Sequence, residues 1–269
     1  IGRTNAGKSS LLNKIVGETV SISNKKINTT TEIIKGIVNF ENIQIIIYDT
    51  PGLNFLKIKD GNQKKFKTNL WQSIYNTDII LFLLDSKTIN LNDLYEKLKK
   101  LVNLNKKIIL AFNKIDLVEK KTILPIIKEI NENFSIDSFF NISAKYNLGL
   151  KDLLKYTMKF AINQPWEYDK NEITNKDDIY IANECTRNAI LTYLHKELPY
   201  NVEVKNRLYK KLNNGDFKIK QIIKIPNIRY KKIILGKKGD KIKKIREFSQ
   251  KNISKIIKSN VHLYLEVIK

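Results

Sequence analysis

Gly2-Arg3-Thr4-Asn5-Ala6-Gly7-Lys8-Ser9 follows the pattern G-x-x-x-x-G-K-[ST], and what such a loop needs around it decides the fold. Its glycines let the backbone curl so that successive N–H groups point at phosphate oxygens. Lys8 adds a point charge near the β- and γ-phosphates, and the Ser9 hydroxyl is a ligand for Mg²⁺, with Ser10 following at the start of a helix. A loop of this kind normally follows a buried strand and opens a helix. Because Ile1 stands directly against it, the reading implies that a first strand, and anything before it, has been cut away.

Working outward, residues 1–163 alternate strand-like and helix-like runs. Ile33–Phe40, Ile43–Tyr48, Ile79–Leu84, Ile108–Phe112 and Phe139–Ile142 are β-rich. Gly7–Val16, Gln63–Tyr75, Leu91–Val102, Ile123–Asn133 and Leu150–Ile162 have helical spacing. That alternation predicts an α/β domain, a doubly wound and mostly parallel sheet with helices on both faces. Ligands in such sheets bind beyond the carboxyl ends of the strands, where the phosphate loop, Asp49, Asn113 and Ser143 all fall.

Each of these positions has a chemical reading. In Asp49-Thr50-Pro51-Gly52, Asp49 can hold a water on Mg²⁺, and the Gly52 N–H reaches a γ-phosphate only because no side chain intervenes. In Asn113-Lys114-Ile115-Asp116, the Asp116 carboxylate can accept hydrogen bonds from guanine N1–H and the exocyclic amine, a donor pair that adenine lacks. The aliphatic stem of Lys114 can lie along the base, and the Ser143-Ala144-Lys145 backbone faces the guanine carbonyl oxygen. Among Thr29, Thr30 and Thr31, Thr30 is the first choice to complete the Mg²⁺ shell when a γ-phosphate is present. A plain solvated loop is the competing reading. Leu53 stands where an attacking water would be oriented, so intrinsic hydrolysis is expected to be slow. Asn5 offers another route, through a side-chain oxygen able to ligate a monovalent cation such as K⁺ beside the phosphates.

Residues 164–178 lose all period around Pro165 and Trp166 and read as a linker. A smaller unit, 179–269, follows. Ile179–Lys196 reads as helical, Val202–Arg207 and Phe217–Ile225 as extended, Lys237–Ile257 as helical with a break, and Val261–Ile268 as a last strand. Of the net charge of +22, residues 218–260 hold 15 Lys and Arg against 2 Asp and Glu, the footprint of a polyanion binder. Within it, Ile234-Leu235-Gly236-Lys237-Lys238-Gly239-Asp240-Lys241-Ile242-Lys243-Lys244-Ile245 frames a G-x-x-G turn with apolar residues. Gly236–Gly239 would clamp a sugar-phosphate chain, Lys237, Lys238, Lys241 and Lys244 would contact phosphates, and Ile234, Leu235 and Ile242 would seat unstacked bases. This is the KH pattern for single-stranded RNA.

Other features exclude rather than suggest. The chain has one cysteine, Cys185, and therefore no disulfide framework; it reads as a small core residue. His195 and His262 are isolated, with no zinc ligand set around either. No apolar run approaches the roughly 20 residues of a membrane helix.

Taken together, these stretches closely resemble the Era family of bacterial GTPases, in which a Ras-like GTPase domain precedes a type II KH domain. The likeness rests on GRTNAGKSSLLNKIVG, Thr29–Thr31, DTPGL, NKID, SAK, the Glu197-Leu198-Pro199-Tyr200 segment, and ILGKKGDKIKKI with VHLYLEV after it. The resemblance implies GTP and GDP binding with Mg²⁺, binding of the 3′ end of small-subunit ribosomal RNA, and a part in assembly of the 30S ribosomal subunit. It also implies a monomer in the cytoplasm with peripheral inner-membrane association. Thr4 and Ala6 replace a common proline and valine, and Thr31 and Glu32 depart from the usual switch residues. Two other readings stay open: an RNA-binding assembly factor whose nucleotide is structural, and a membrane-linked cell-cycle GTPase.

Overall fold

Strands β3 (Ile79–Asp85), β4 (Lys107–Asn113) and β5 (Ser138–Asn141) form a parallel sheet in that order in a computed structural model that describes residues 1–18, 20–21, 33–50, 70–194 and 202–269. Six of the seven residues of β4 are buried, as expected of a central strand covered on both faces. Ile108, Leu110 and Phe112 pack with Leu94, Leu98 and Leu101 of α2 (Leu91–Val102) and with Ile123 and Ile130 of α3 (Ile123–Asn133). The alternate residues Ile109 and Ala111 meet Leu11 of α1 (Lys8–Val16) and Leu150 and Leu153 of α4 (Leu150–Met158). Each large aliphatic side chain fully buried this way contributes roughly 1.5–3 kcal/mol. Helix α2 is started by Asn90, whose Oδ1 accepts from the Asp93 N–H at 3.0 Å.

Strands β1 (Ile34–Phe40) and β2 (Ile43–Asp49) form a separate antiparallel hairpin, turned at Glu41 with φ 47°. Ile1 and Gly2 lie parallel to β3: the Ile1 N–H group donates to Leu81 O, and the Leu83 N–H to Ile1 O, both at 2.8 Å. The stretch after α4, without period in the sequence, runs along the hairpin. Lys35 Nζ donates to Glu167 Oε1 at 2.7 Å and Tyr168 Oη at 2.8 Å, and Gln44 Nε2 donates to Tyr168 O at 2.9 Å. Asn39 Nδ2 donates to Lys170 O at 2.8 Å, and the Ile37 N–H to Ile173 O at 2.9 Å. Contacts accordingly divide the chain after Ile173, and Thr174–Lys269 forms a second unit that also includes a short stretch starting at Gly17.

The second unit has the order α-β-β-α-α-β: α5 (Asp178–Tyr193), β6 (Glu203–Lys211), β7 (Phe217–Lys224), α6 (Arg229–Leu235), α7 (Asp240–Ile257) and β8 (Val261–Ile268). Its sheet runs β6-β7-β8, antiparallel then parallel, with a bulge between Asn206 and Leu208. Cys185 is buried with Ile181, Ile219, Ile253 and Leu263, and burial pushes its thiol up to about 12, so it behaves as a core hydrophobe.

Several elements differ from the expected bounds. Helix α6 is absent from the sequence reading, and β6 runs on to Lys211 rather than Arg207. Helix α4 stops at Met158, where the Phe160 and Ala161 N–H groups bond to Thr157 O and Met158 O in tighter turns. The residues expected between Glu197 and Tyr200, and His195, lie outside the described residues.

Candidate nucleotide site and nucleic-acid interface

The phosphate loop needs its glycines at two points. Gly2 has φ 150°, and a Cβ there would lie 2.3 Å from Leu83 O; Gly7 has φ 98°, and a Cβ there would lie 2.2 Å from Asn113 Nδ2. Between them the loop wraps the Lys8 ammonium, which donates to Gly2 O at 3.2 Å and Arg3 O at 3.0 Å. Burial lowers its pKa from 10.5 to about 8, opposed by Asp49 and assisted by Lys97. Ser9 Oγ donates to Asp49 Oδ2 at 2.6 Å, so a helix start and the end of β2 meet through two oxygen ligands. Ser10 follows in α1 and Thr50 is buried just beyond Asp49.

Asn113 ties three predicted motifs together. Its Nδ2 donates to Ala6 O at 2.8 Å, and its Oδ1 accepts from the Ala144 N–H at 3.0 Å. Lys114, in the left-handed region with φ 63°, donates from Nζ to Asn5 O at 2.8 Å and to Asp85 Oδ2 at 2.5 Å. Asp116 lies exposed in the short helix Ile115–Leu117, which is held by the Ile115 N–H donating to Ile142 O at 3.1 Å. Ser143 is buried, and Lys145 is exposed beside Tyr146. Asn5 is exposed with φ 64°. Thr29, Thr30, Thr31, Pro51, Gly52 and Leu53 lie outside the described residues.

Two contributors escaped the sequence reading. Asp85 pairs with Lys114, and Ser86 Oγ donates to Asn113 O at 2.7 Å. The signal was available: Asp85 ends an apolar strand just as Asp49 does, and the parallel register sets it beside Asn113.

In the second unit, the G-x-x-G turn joins α6 to α7. Gly236 has φ 74°, Lys238 φ 52° and Gly239 φ 80°. Lys237, Lys238 and Lys244 are exposed, and Lys241, Leu235 and Ile242 are half-buried. One expectation is corrected. Ile234 has 0% exposure and packs with Ile190, Ile223 and Val267, so it supports the turn from beneath and cannot touch a base. Ile245, its companion across the turn, is buried likewise.

A family model described as "50S ribosome-binding GTPase" matches residues 1–114, and one described as "KH domain" matches residues 197–269. GTPase Era of Rickettsia bellii is 38% identical over 267 residues, which cover 99% of this chain and 90% of that protein. This chain belongs to the Era family of GTPases. GTPase Era of Agrobacterium fabrum is 37% identical over 267 residues, covering 99% of this chain and 84% of the relative. A crystal structure of Era with MgGDPNP and nucleotides 1506–1542 of 16S ribosomal RNA superposes with a TM-score of 0.87 at 29% identity, covering 99% of this chain and 90% of that one. A variant of Aquifex aeolicus Era bound to GDP and AlF4⁻ superposes with a TM-score of 0.88, again at 29% identity over 99% and 90% of the two chains.

Two results are expected of this chain. A Cβ on Gly236 would lie 2.3 Å from Asp240 Oδ1 and 2.7 Å from Lys241 Cγ, whereas one on Gly239 would meet only Ile242 Cγ2 at 3.9 Å. Gly236→Ala should therefore displace the turn and weaken RNA binding by about tenfold, while Gly239→Ala carries only the roughly 1–2 kcal/mol of a left-handed non-glycine residue. Filter binding with thermal melts checks the order; equal losses would contradict it.

The second concerns Lys8. With the folded value below the ordinary 10.5, the nucleotide-free protein gains stability as pH rises from about 8 towards 10.5. Phosphate beside the ammonium raises its pKa again. GDP binding should then take up more protons at a pH near 8.5 than near 7. Calorimetry in buffers of different ionisation heat reads this directly, and an uptake that does not change with pH would refute it.

Proposed function

We propose that this chain is a GTP-hydrolysing switch that binds the 3′ end of small-subunit ribosomal RNA and acts in assembly of the 30S subunit. The observation that carries the nucleotide half is Asn113, whose amide joins the phosphate loop to the Ser143–Lys145 turn, as a guanine-nucleotide pocket requires. For the RNA half, the support is a G-x-x-G turn flanked by exposed lysines, together with the 16S ribosomal RNA bound in a solved relative.

Within that reading, Gly2, Asn5, Ala6, Gly7, Lys8, Ser9 and Ser10 receive the phosphates, with Thr50, Pro51 and Gly52 at the γ-phosphate side. Asn113, Lys114, Asp116, Ser143, Ala144 and Lys145 enclose guanine. Lys8, Thr30, Gly52 and Asn5 stabilise the charge that develops as the γ-phosphoryl group leaves. Ser9 and Asp49 suit Mg²⁺, since they bring two hard oxygen donors together beside the loop; Thr30 joins them. Bound there, Mg²⁺ would neutralise charge on the phosphate oxygens. Asn5, exposed and with its amide in no hydrogen bond among the described residues, is available to K⁺. Gly236–Gly239 clamps the RNA backbone, with Lys237, Lys238, Lys241 and Lys244 on phosphates and Leu235 and Ile242 towards bases.

The protein is read as a cytoplasmic monomer with peripheral inner-membrane contact. Among the described residues no helix is long and apolar enough to cross a membrane. Single-turnover GTP hydrolysis, with and without ribosomal RNA and in K⁺ against Na⁺, tests the switch. RNA or K⁺ should raise the rate at least about tenfold over a slow basal value. A rate indifferent to both would favour an assembly factor whose nucleotide is structural.

A further inference from the structure

Among the described residues two side-chain hydroxyls are buried with no hydrogen-bond partner, Thr4 Oγ1 and Thr50 Oγ1. Other buried hydroxyls are engaged: Ser86 Oγ donates to Asn113 O at 2.7 Å, Thr186 Oγ1 to Gln221 Oε1 at 2.6 Å, and Ser249 Oγ to Ile245 O at 2.7 Å. A buried hydroxyl without a partner has lost its hydration and gained no bond in return, so folded proteins keep few of them. Both of these fall at the nucleotide site. Thr50 follows Asp49, and Thr4 stands in the phosphate loop.

The two differ in reach. Thr50 is 2% exposed, enclosed along its whole side chain, whereas Thr4 is half-buried. The loop around Thr4 is pinned on several sides. The Ala6 N–H donates to Arg3 O at 3.3 Å, which closes a turn with Thr4 and Asn5 at its tip. Asn5 O is drawn to the base side by Lys114 Nζ at 2.8 Å, and Arg3 Nε lies 3.4 Å from Asp93 Oδ2 of α2. Lys8 Nζ, which faces the β- and γ-phosphates when nucleotide is bound, donates to Gly2 O and Arg3 O just before Thr4. Thr4 therefore takes the flank of the turn away from the base, at the end of the nucleotide where a third phosphate stands.

Hydrolysis at that end needs a water held in line with the γ-phosphorus. Leu53, next after Gly52 in the sequence, carries no group that could hold it. A threonine hydroxyl has one hydrogen to donate and two lone pairs to accept with. It can accept from the attacking water while donating to a γ-phosphate oxygen, and both of its empty valences are then filled. The hydroxyl is closed off from bulk solvent, so the water it meets is one that is bound with the nucleotide.

We infer that Thr4 is a catalytic residue of the GTPase reaction, its hydroxyl holding the attacking water against the γ-phosphate. This rests on the reading of the first unit as a GTP-hydrolysing switch. The water oxygen bonds to the γ-phosphorus as the bond from that phosphorus to the β–γ bridging oxygen breaks. The electron pair of the broken bond leaves on GDP, and the two protons of the water end on the released phosphate. Thr4 stays neutral throughout: it fixes the position of the water and takes no proton from it.

The test compares Thr4→Val, which keeps the branched shape and removes the hydroxyl, with Thr4→Ser, which keeps the hydroxyl. Single-turnover GTP hydrolysis with Mg²⁺ and K⁺ should slow about thirtyfold in Thr4→Val, the loss of one hydrogen bond to a charged transition state. Affinities for GDP and for a non-hydrolysable GTP analogue should stay within about threefold. The nucleotide-free Thr4→Val protein should melt no lower than the unaltered one, because its hydroxyl has no bond there to lose. Thr4→Ser should hydrolyse GTP within about threefold of the unaltered rate. An undiminished rate in Thr4→Val would overturn the proposal, and so would a GDP affinity that falls by the same factor as the rate. A Thr4→Ser protein as slow as Thr4→Val would assign the effect to the methyl group, and a lowered melting temperature in Thr4→Val would show a structural bond; either outcome overturns it. If the unaltered protein hydrolyses no GTP even with ribosomal RNA added, the reading of the switch has failed, and the proposal falls with it.

Discussion

Replacing Asp116 with asparagine should lower GDP affinity by about a thousandfold and create a preference for xanthine nucleotides. Guanine offers two donors to a carboxylate, and an amide can satisfy one of them while setting its own N–H₂ against the other. The lost bond and the clash of two donors in its place, at roughly 2 kcal/mol each, give that factor. Xanthine carries a carbonyl where guanine has its amine, so the new amide donor finds an acceptor. Asp116 is exposed, and the helix around it is held by backbone bonds from Ile115 and Leu117, so folding should not change. Binding titrations with GDP, XDP and ADP, alongside a thermal melt, separate specificity from stability. GDP affinity within about threefold of the unaltered protein would remove Asp116 from the base site.

Asn113→Ala should be the most damaging single change in the first unit. Asn113 is 2% exposed, and its loss leaves Ala6 O and the Ala144 N–H without partners in positions that are themselves 1% and 4% exposed. An orphaned buried donor or acceptor costs about 1–3 kcal/mol, so roughly 3 kcal/mol of stability should go for the pair. Nucleotide binding should go too, because the phosphate loop loses its tie to the base side of the pocket. Gly7→Ala reaches the same result from the opposite direction, since its Cβ would occupy the space of Asn113 Nδ2. Urea unfolding followed with and without GDP measures both variants. If either keeps full stability and GDP affinity, the amide is not the joint described here.

What could be read from the sequence follows from the kind of force that forms each element. Strands β2, β3 and β4 are built from unbroken apolar runs, and the structure places them within a residue of the expected bounds. Loop residues with chemical roles were legible because Gly, Lys, Ser and Asp at fixed spacing have few other uses. Two features were not. Helix α6 spans Arg229–Leu235, too short for a clear period and rich in lysine, and it forms because Ile234 fills the core beneath the turn. Burial of that isoleucine also explains why an apolar residue beside a G-x-x-G turn was mistaken for a base contact. The stretch after α4 has no pattern of its own, since its bonds come from Lys35, Asn39 and Gln44, which are distant in sequence.

That last stretch has a mechanical consequence. The polypeptide departs from the GTPase fold riveted to the antiparallel ribbon whose far end is Asp49, with the Ile37–Ile173 backbone bond as the final rivet before Thr174. Asp49 and the last residues of the first unit are therefore stitched to one ribbon, so whatever shifts that ribbon shifts both together.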